Sequence, residues 1–143
     1  MHRNEFVFHR MGSDERRRVL EVLKRAILGE LSGVLIVAVF GSFVDAPAFR
    51  DIDTAVYLEN VPEDPLDLEW RLSDRLTGVL GIPVDVKVLN TAPPMVRYRI
   101  LRRGIILYEA SPGLSERIAF ASAREHMDMA LKRLRLEGYR SFR

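Results

Sequence analysis

The chain is 143 residues long, 48% apolar and 29% charged, which suits one soluble domain over residues 1–143 and leaves little room for a second core. Its 22 basic and 20 acidic residues leave a formal net charge of +2, too little for a global electrostatic sink for nucleic acid. With no cysteine, a disulfide framework, a thiolate zinc site and a cysteine nucleophile are all excluded.

No apolar run approaches membrane-spanning length, and the N-terminal residues His2, Arg3 and Glu5 do not fit a signal peptide. A cytoplasmic protein is expected. Ser13 is placed to cap a helix over about Asp14 to Leu31, whose apolar residues Val19, Leu20, Leu23, Ala26, Ile27 and Leu31 recur at three- and four-residue steps. Gly33 breaks that pattern. The uncharged, β-branched run Val34 to Phe40 then predicts a strand buried on both faces.

Gly41 to Arg50 reads as irregular, and Asp51 to Leu58 as a second strand. After the turn Asn60–Pro65, a helix from about Leu66 to Leu80 is expected to end at Gly81, with Leu66, Trp70, Leu72 and Leu76 as core. Pro83 to Leu89 alternates as a third strand, Ala92 to Arg102 suggests a short helix, and Ile105 to Tyr108 a fourth strand. Ser111 and Pro112 are candidates for the N-cap and first residue of a long helix over about Leu114 to Leu136. The fold class is therefore α/β or α+β, with a small mixed sheet flanked by helices, a core over about residues 14–110 and a C-terminal helix reaching about 138.

Chemistry concentrates in the middle. On a strand, Asp51 and Asp53 project to one side and Ile52 to the other. Two carboxylates that close repel, and a divalent cation reverses the penalty. Mg²⁺ suits them, because it takes one or two protein carboxylates and fills its shell with water and phosphate oxygens. In Val84–Val88 the valines share one face, and Asp85 and Lys87 share the other. If that strand lies beside Asp51–Asp53, the three carboxylates suffice for two metal ions about 3.5–4 Å apart. The plain alternative has Asp51 and Asp53 as solvated turn residues and Asp85 paired with Lys87 or an arginine. Gly41–Ser42, directly after a buried strand, favours the site: glycine lets backbone approach a phosphate, and the hydroxyl and amides can bind its oxygens.

Gly41–Ser42, eight residues, Asp51–Ile52–Asp53 and a later strand aspartate, Asp85, together resemble the DNA polymerase β-like nucleotidyltransferases. Within that superfamily the chain is similar to the minimal nucleotidyltransferases, or MNT proteins. The stretches Val84–Asn90 and Ile100–Tyr108 share in the resemblance, which covers roughly residues 15 to 110. It implies a nucleotidyltransferase fold and a Mg²⁺-dependent enzyme with two ions and ATP as substrate. Asp51, Asp53 and Asp85 would be the metal-binding catalytic residues, with Asp85 also helping to deprotonate the acceptor hydroxyl. Gly41 and Ser42 would bind the β- and γ-phosphates. Arg50, the only cation in the segment Phe43–Arg50, would join them in nucleotide binding as the one local candidate to offset phosphate charge; the segment adds an acid, Asp45, where that family often carries arginines. An exposed strand-edge arginine is the alternative for Arg50.

The resemblance further implies a partner, a helical HEPN-type protein, often an RNase toxin, to whose hydroxyl the protein would transfer AMP as the antitoxin of a HEPN/MNT pair. Rival readings are a binding module that neutralises its partner by complex formation alone, and a nucleotidyltransferase with a small-molecule acceptor. A nucleic-acid polymerase would normally need a gripping module, and the basic run Arg124, Lys132, Arg133, Arg135, Arg140 and Arg143 is short for that and reads as a solvated face. His2, His9 and His126 stand alone, without metal-ligand spacing. Neither a P-loop nor a Gly-x-Gly-x-x-Gly motif occurs.

Overall fold

The computed structural model describes residues 7–141. His2, Arg3, Glu5 and Arg143 lie outside the described residues, as does the side chain of Arg140. The elements are β1 (His9–Arg10), α1 (Ser13–Glu30), β2 (Val34–Phe40), α2 (Ser42–Asp45), β3 (Ala48–Phe49), β4 (Ile52–Leu58), α3 (Pro65–Leu80), β5 (Val84–Val88), a 3₁₀ turn (Leu89–Thr91), α4 (Pro94–Arg103), β6 (Ile105–Glu109) and α5 (Leu114–Ser141). Four strands form a mixed sheet in the order β5-β4-β2-β6, in which only β4 and β5 are parallel. The expected mixed α/β architecture is present.

Strand alternation sorts the sheet's two faces. Val37, Val39, Ile52, Val56, Val84, Val86 and Val88 turn to one side and meet Leu23 and Ile27 of α1 and Leu72 and Leu76 of α3. Ile36, Ala38 and Ala55 turn to the other and meet Ile100 and Leu101 of α4 and Ala119 of α5. β2 is thus covered on both faces, which accounts for its unbroken apolar run.

Several local expectations are corrected. Gly12, not Ser13, is the N-cap of α1, and no side chain caps it; Asp14 and Glu15 in the first turn complement the helix dipole. Ser111 and Pro112 lie in a turn before α5. The start of that helix is held by Glu109, which accepts from Gly113 N at 2.7 Å and Ser115 Oγ at 2.8 Å. α5 runs beyond Leu136 to Ser141, and α4 starts at Pro94 because the 3₁₀ turn occupies Leu89–Thr91. The segment after β2 is not irregular: it contains α2 and β3, and β3 pairs with β1.

Leu72 and Leu76 are core as expected, but Leu66 and Trp70 are 75% and 71% exposed. The reason lies on the sheet edge. Glu69, Ser73 and Thr77, spaced four apart on α3, accept from the outward N–H groups of Val88, Val86 and Val84, each at 2.9 Å. Satisfying the donors of an edge strand takes precedence, so the helix turns polar residues inward and leaves Leu66 and Trp70 outside.

Among the described residues one buried side-chain polar atom has no partner: Thr54 Oγ1, in a fully buried residue of β4. Valine has nearly the same shape without the unpaired hydroxyl. Thr54→Val is therefore expected to stabilise the protein by about 1–2 kcal/mol, seen as a higher midpoint in urea with an unchanged slope.

Candidate active site

The site forms where β2 ends and β4 and β5 begin. Phe40 stands opposite Asp53 across the antiparallel pair, and Asp53 stands opposite Asp85 across the parallel one. Because Ile52 and Val84 point into the α1/α3 core, Asp53 and Asp85 emerge on the other face of the sheet. Asp51 precedes β4 instead of lying in it, and Ile52 N donates to Pro83 O at 2.9 Å, which locks the starts of the two strands together. Asp51 and Asp53 are half-buried and Asp85 is exposed. Lys87, two residues beyond Asp85, is also exposed on that face, opposite Ala55.

Burial, followed by the charges of Asp51 and Asp85, raises the Asp53 carboxyl from 3.8 to about 6; Lys87 acts in the opposite direction. None of the three aspartates is ion-paired with Lys87 or an arginine among the described residues. The electrostatics are those of an uncompensated acidic cluster, which a hard cation would relieve. No three metal-ligating side chains close into a cage among the described residues. An open set of carboxylate oxygens still fits Mg²⁺, which keeps waters and takes phosphate oxygens beside one or two protein ligands.

Gly41 turns the chain out of β2 at φ 77°, ψ −155° and serves as N-cap of α2. A Cβ at Gly41 would overlap Asp53 Oδ2 and stand 3.2 Å from its Cγ. Glycine is required twice over, by the positive φ and by the carboxylate lying on its Cα. Ser42 opens α2 beside it, half-buried. The structure thus brings Gly41, Ser42, Asp51, Asp53 and Asp85 to one end of the sheet.

Arg50 directly precedes Asp51. It is exposed, and its guanidinium lies 5.8 Å from the Phe8 ring centroid. The arginine that shapes this segment is Arg16, which sequence reasoning missed. It donates to the carbonyls of Phe43, Ala46 (3.2 Å) and Pro47 (3.0 Å) and lies over the Phe43 and Phe49 rings. No local pattern marks it, since these three carbonyls lie 27, 30 and 31 residues away in sequence, and only Met11 O, which accepts from Nε at 3.2 Å, is near.

The family model "Polymerase beta, Nucleotidyltransferase" matches residues 24–113, a span that holds every member of the cluster. No curated protein matches the chain in sequence. Among solved structures, a chain of the tri-AMPylated Shewanella oneidensis HEPN toxin in complex with MNT antitoxin aligns with a TM-score of 0.69 and 17% identity, covering 86% of this chain and 96% of that one. A toxin–antitoxin structure with AMP-PNP gives 0.70 and 18%, covering 83% and 95%. The toxin–antitoxin MntA–HepT gives 0.68 and 16%, covering 85% and 96%. At these identities the likeness is one of fold, while the family match spans well over half of the sequence. The chain belongs to the polymerase beta nucleotidyltransferase family.

Proposed function

We propose that this protein is a Mg²⁺-dependent nucleotidyltransferase that moves AMP from ATP to a hydroxyl of a partner protein, as the antitoxin of a HEPN/MNT pair. The observation that carries the reading is the register that sets Asp53 opposite Asp85 while the Asp53 carboxylate lies on Gly41. Carboxylates and a phosphate-accessible turn are thereby placed within one side chain's reach of each other. The neighbouring folds come from toxin–antitoxin structures, one with AMP-PNP and one with a tri-AMPylated HEPN toxin, which supports both the nucleotide and the kind of acceptor.

In this reading Asp51, Asp53 and Asp85 hold Mg²⁺, which when bound supplies Lewis-acid stabilisation of charge on the phosphate oxygens. Ser42 Oγ and the amides after Gly41 bind the β- and γ-phosphates. The acceptor oxygen attacks the α-phosphorus, its bond to the β-bridging oxygen breaks, and pyrophosphate leaves. Asp85, the most exposed of the three, takes the acceptor's proton from the open side. Arg16 has a supporting role: by holding the carbonyls of Phe43, Ala46 and Pro47 it fixes the turn that carries Ser42.

α5 supports a protein partner. From Met127 onward its apolar residues Met127, Met129, Leu131, Leu134 and Leu136 are all 45–62% exposed, and exposed apolar clusters mark interaction surfaces. This same feature favours the second reading, neutralisation by complex formation alone. The test is to co-express the protein with its genomic neighbour, purify the complex, and incubate it with ATP and Mg²⁺. A gain of one or more AMP masses on the partner is expected. No mass gain with any of the four ribonucleoside triphosphates overturns the enzymatic reading.

A further inference from the structure

The turn at Gly41–Ser42 is poorly supplied with positive charge from its own segment. Between Gly41 and Arg50 the only cation is Arg50, which stacks toward Phe8, and nearby Arg16 is committed to four carbonyls. A triphosphate placed there would need cations from elsewhere in the fold.

α4 supplies them. A Cβ on Gly104 would stand 2.8 Å from Val39 O and 3.6 Å from Phe40 Cβ, so the end of α4 is pressed against the last residues of β2. Arg103 is therefore carried to the level of Phe40 and Gly41, and so to the level of Asp53, the cross-strand partner of Phe40. The direction of α4's faces follows from its contacts. Arg97 donates to Ser122 and Glu125 of α5, Arg102 pairs with Glu116 and lies near the Phe120 ring, and Leu101 is buried. At 100° per residue those positions centre on the side facing α5, and Arg99 and Arg103 fall on the opposite side. α5 packs over β2 and β6, so that opposite side faces β4 and β5, where Asp53 and Asp85 emerge.

Both arginines are exposed, and neither has an acidic partner among the described residues. On the same helix, by comparison, Arg97 and Arg102 each pair with a carboxylate of α5. The dipole at the C-terminus of α4 rationalises a cation at 103 but not one a full turn earlier. Like charges four residues apart on a helix repel, and an anion between them and the turn relieves that repulsion.

We propose that Arg103, with Arg99 one turn before it, is the cationic wall that grips the β- and γ-phosphates of the nucleoside triphosphate from the side opposite Gly41–Ser42. The proposal rests on the nucleotidyltransferase reading of the site and adds residues that supply what the turn lacks. It assigns them to substrate binding, so their loss weakens triphosphate binding and spares groups that lack the outer phosphates.

The test compares the wild-type protein, Arg103→Ala, Arg103→Lys and the double variant Arg99→Ala/Arg103→Ala by calorimetric titration with ATP and with AMP, each with Mg²⁺, and by competition with inorganic tripolyphosphate. Arg103→Ala is expected to weaken ATP and tripolyphosphate roughly ten- to a hundredfold, the range for losing charge-assisted contacts to phosphate. The double variant should lose more and the lysine variant less, with AMP affinity within about twofold throughout. Ligand-free melting temperatures should stay within a degree or so, as for surface substitutions generally. ATP affinity within twofold of wild type in the double variant overturns the proposal, as do equal losses for ATP and AMP. Wild-type protein that binds no triphosphate with Mg²⁺ overturns the underlying reading as well, which separates the two failures.

Discussion

Asp53→Asn is expected to slow the proposed AMP transfer at least about a hundredfold, the scale of removing several kcal/mol of the transition-state stabilisation a bound metal would supply, and at the same time to make the ligand-free protein more stable at pH 8. The two effects share one cause. Asp53 is held half-buried between Asp51 and Asp85, an arrangement suited to a cation and strained without one. Its carboxyl rises from 3.8 to about 6 through burial first and the neighbouring charges second. A raised pKa means that the folded state favours the protonated acid. That preference contributes stability which is fully present below pH 3.8 and is lost as pH rises through 6. A rise of this size corresponds to roughly 3 kcal/mol; solvent screening of a half-exposed carboxylate reduces it to about 1–2 kcal/mol. Asparagine never ionises, so its advantage should be greatest above pH 7 and vanish by about pH 4. Thermal melts from pH 4 to 8 check this. Mg²⁺ at pH 8 should raise the wild-type melting temperature and leave the Asn variant nearly unmoved. An Asn variant that melts lower than wild type at pH 8 would show that the cluster is not electrostatically strained. If neutralisation of the proposed partner survives the substitution unchanged, simple complex formation suffices for it.

What the sequence discloses here depends on whether the deciding interaction is local. The glycine-bounded run Val34–Phe40 and the alternation of Val84–Val88 are each legible because a strand's burial is written in its own residues, and both strands occur where expected. The alternation also placed Asp85 and Lys87 on a common face, away from the core valines. Gly41 was legible as a turn, but not as the residue on which Asp53 lies, since that contact joins two strands. Segment 42–50 was illegible for a similar reason. Its short helix and strand are held by Arg16 from α1 and by pairing of Phe49 with His9, neither of which leaves a mark in the segment itself. Trp70 misled because apolar periodicity assumes that a helix buries its apolar side, whereas α3 must also serve the open edge of β5.

Arg97 is the other residue whose importance only the fold discloses, and Arg97→Ala is expected to cost about 2–3 kcal/mol, the scale of losing several charge-assisted hydrogen bonds of a buried guanidinium whose carboxylate partner, Glu125, stays half exposed. In sequence it is one of five arginines between Arg97 and Arg117, with nothing local to set it apart. In the structure it is 9% exposed and ties three elements together. Nε donates to Ser122 Oγ at 2.7 Å and Nη2 to Glu125 Oε2 at 2.7 Å, both on α5, and Nη1 reaches the carbonyls of Asn90 at 3.3 Å and Leu89 at 3.5 Å. Asn90 in turn extends the sheet by donating to Leu58 O at 2.8 Å and accepting from Leu58 N at 2.9 Å. Removing the guanidinium takes a donor from the Asn90 carbonyl, while Leu89 O keeps Ala92 N at 3.1 Å, and opens a gap between α4 and α5. For a chain of this size the loss corresponds to a fall in melting temperature of roughly 5–12 °C. Arg97→Lys should recover little of it, because one ammonium cannot reach Ser122, Glu125 and the 3₁₀ turn at once. A chain that tolerates Arg97→Ala with less than about 1 kcal/mol of loss in urea denaturation would mean that apolar packing of Leu101 and Ala119 alone holds α5 in place. Because α4 also carries Arg99 and Arg103, partial loosening of that helix should weaken ATP binding in Arg97→Lys even where the protein remains folded.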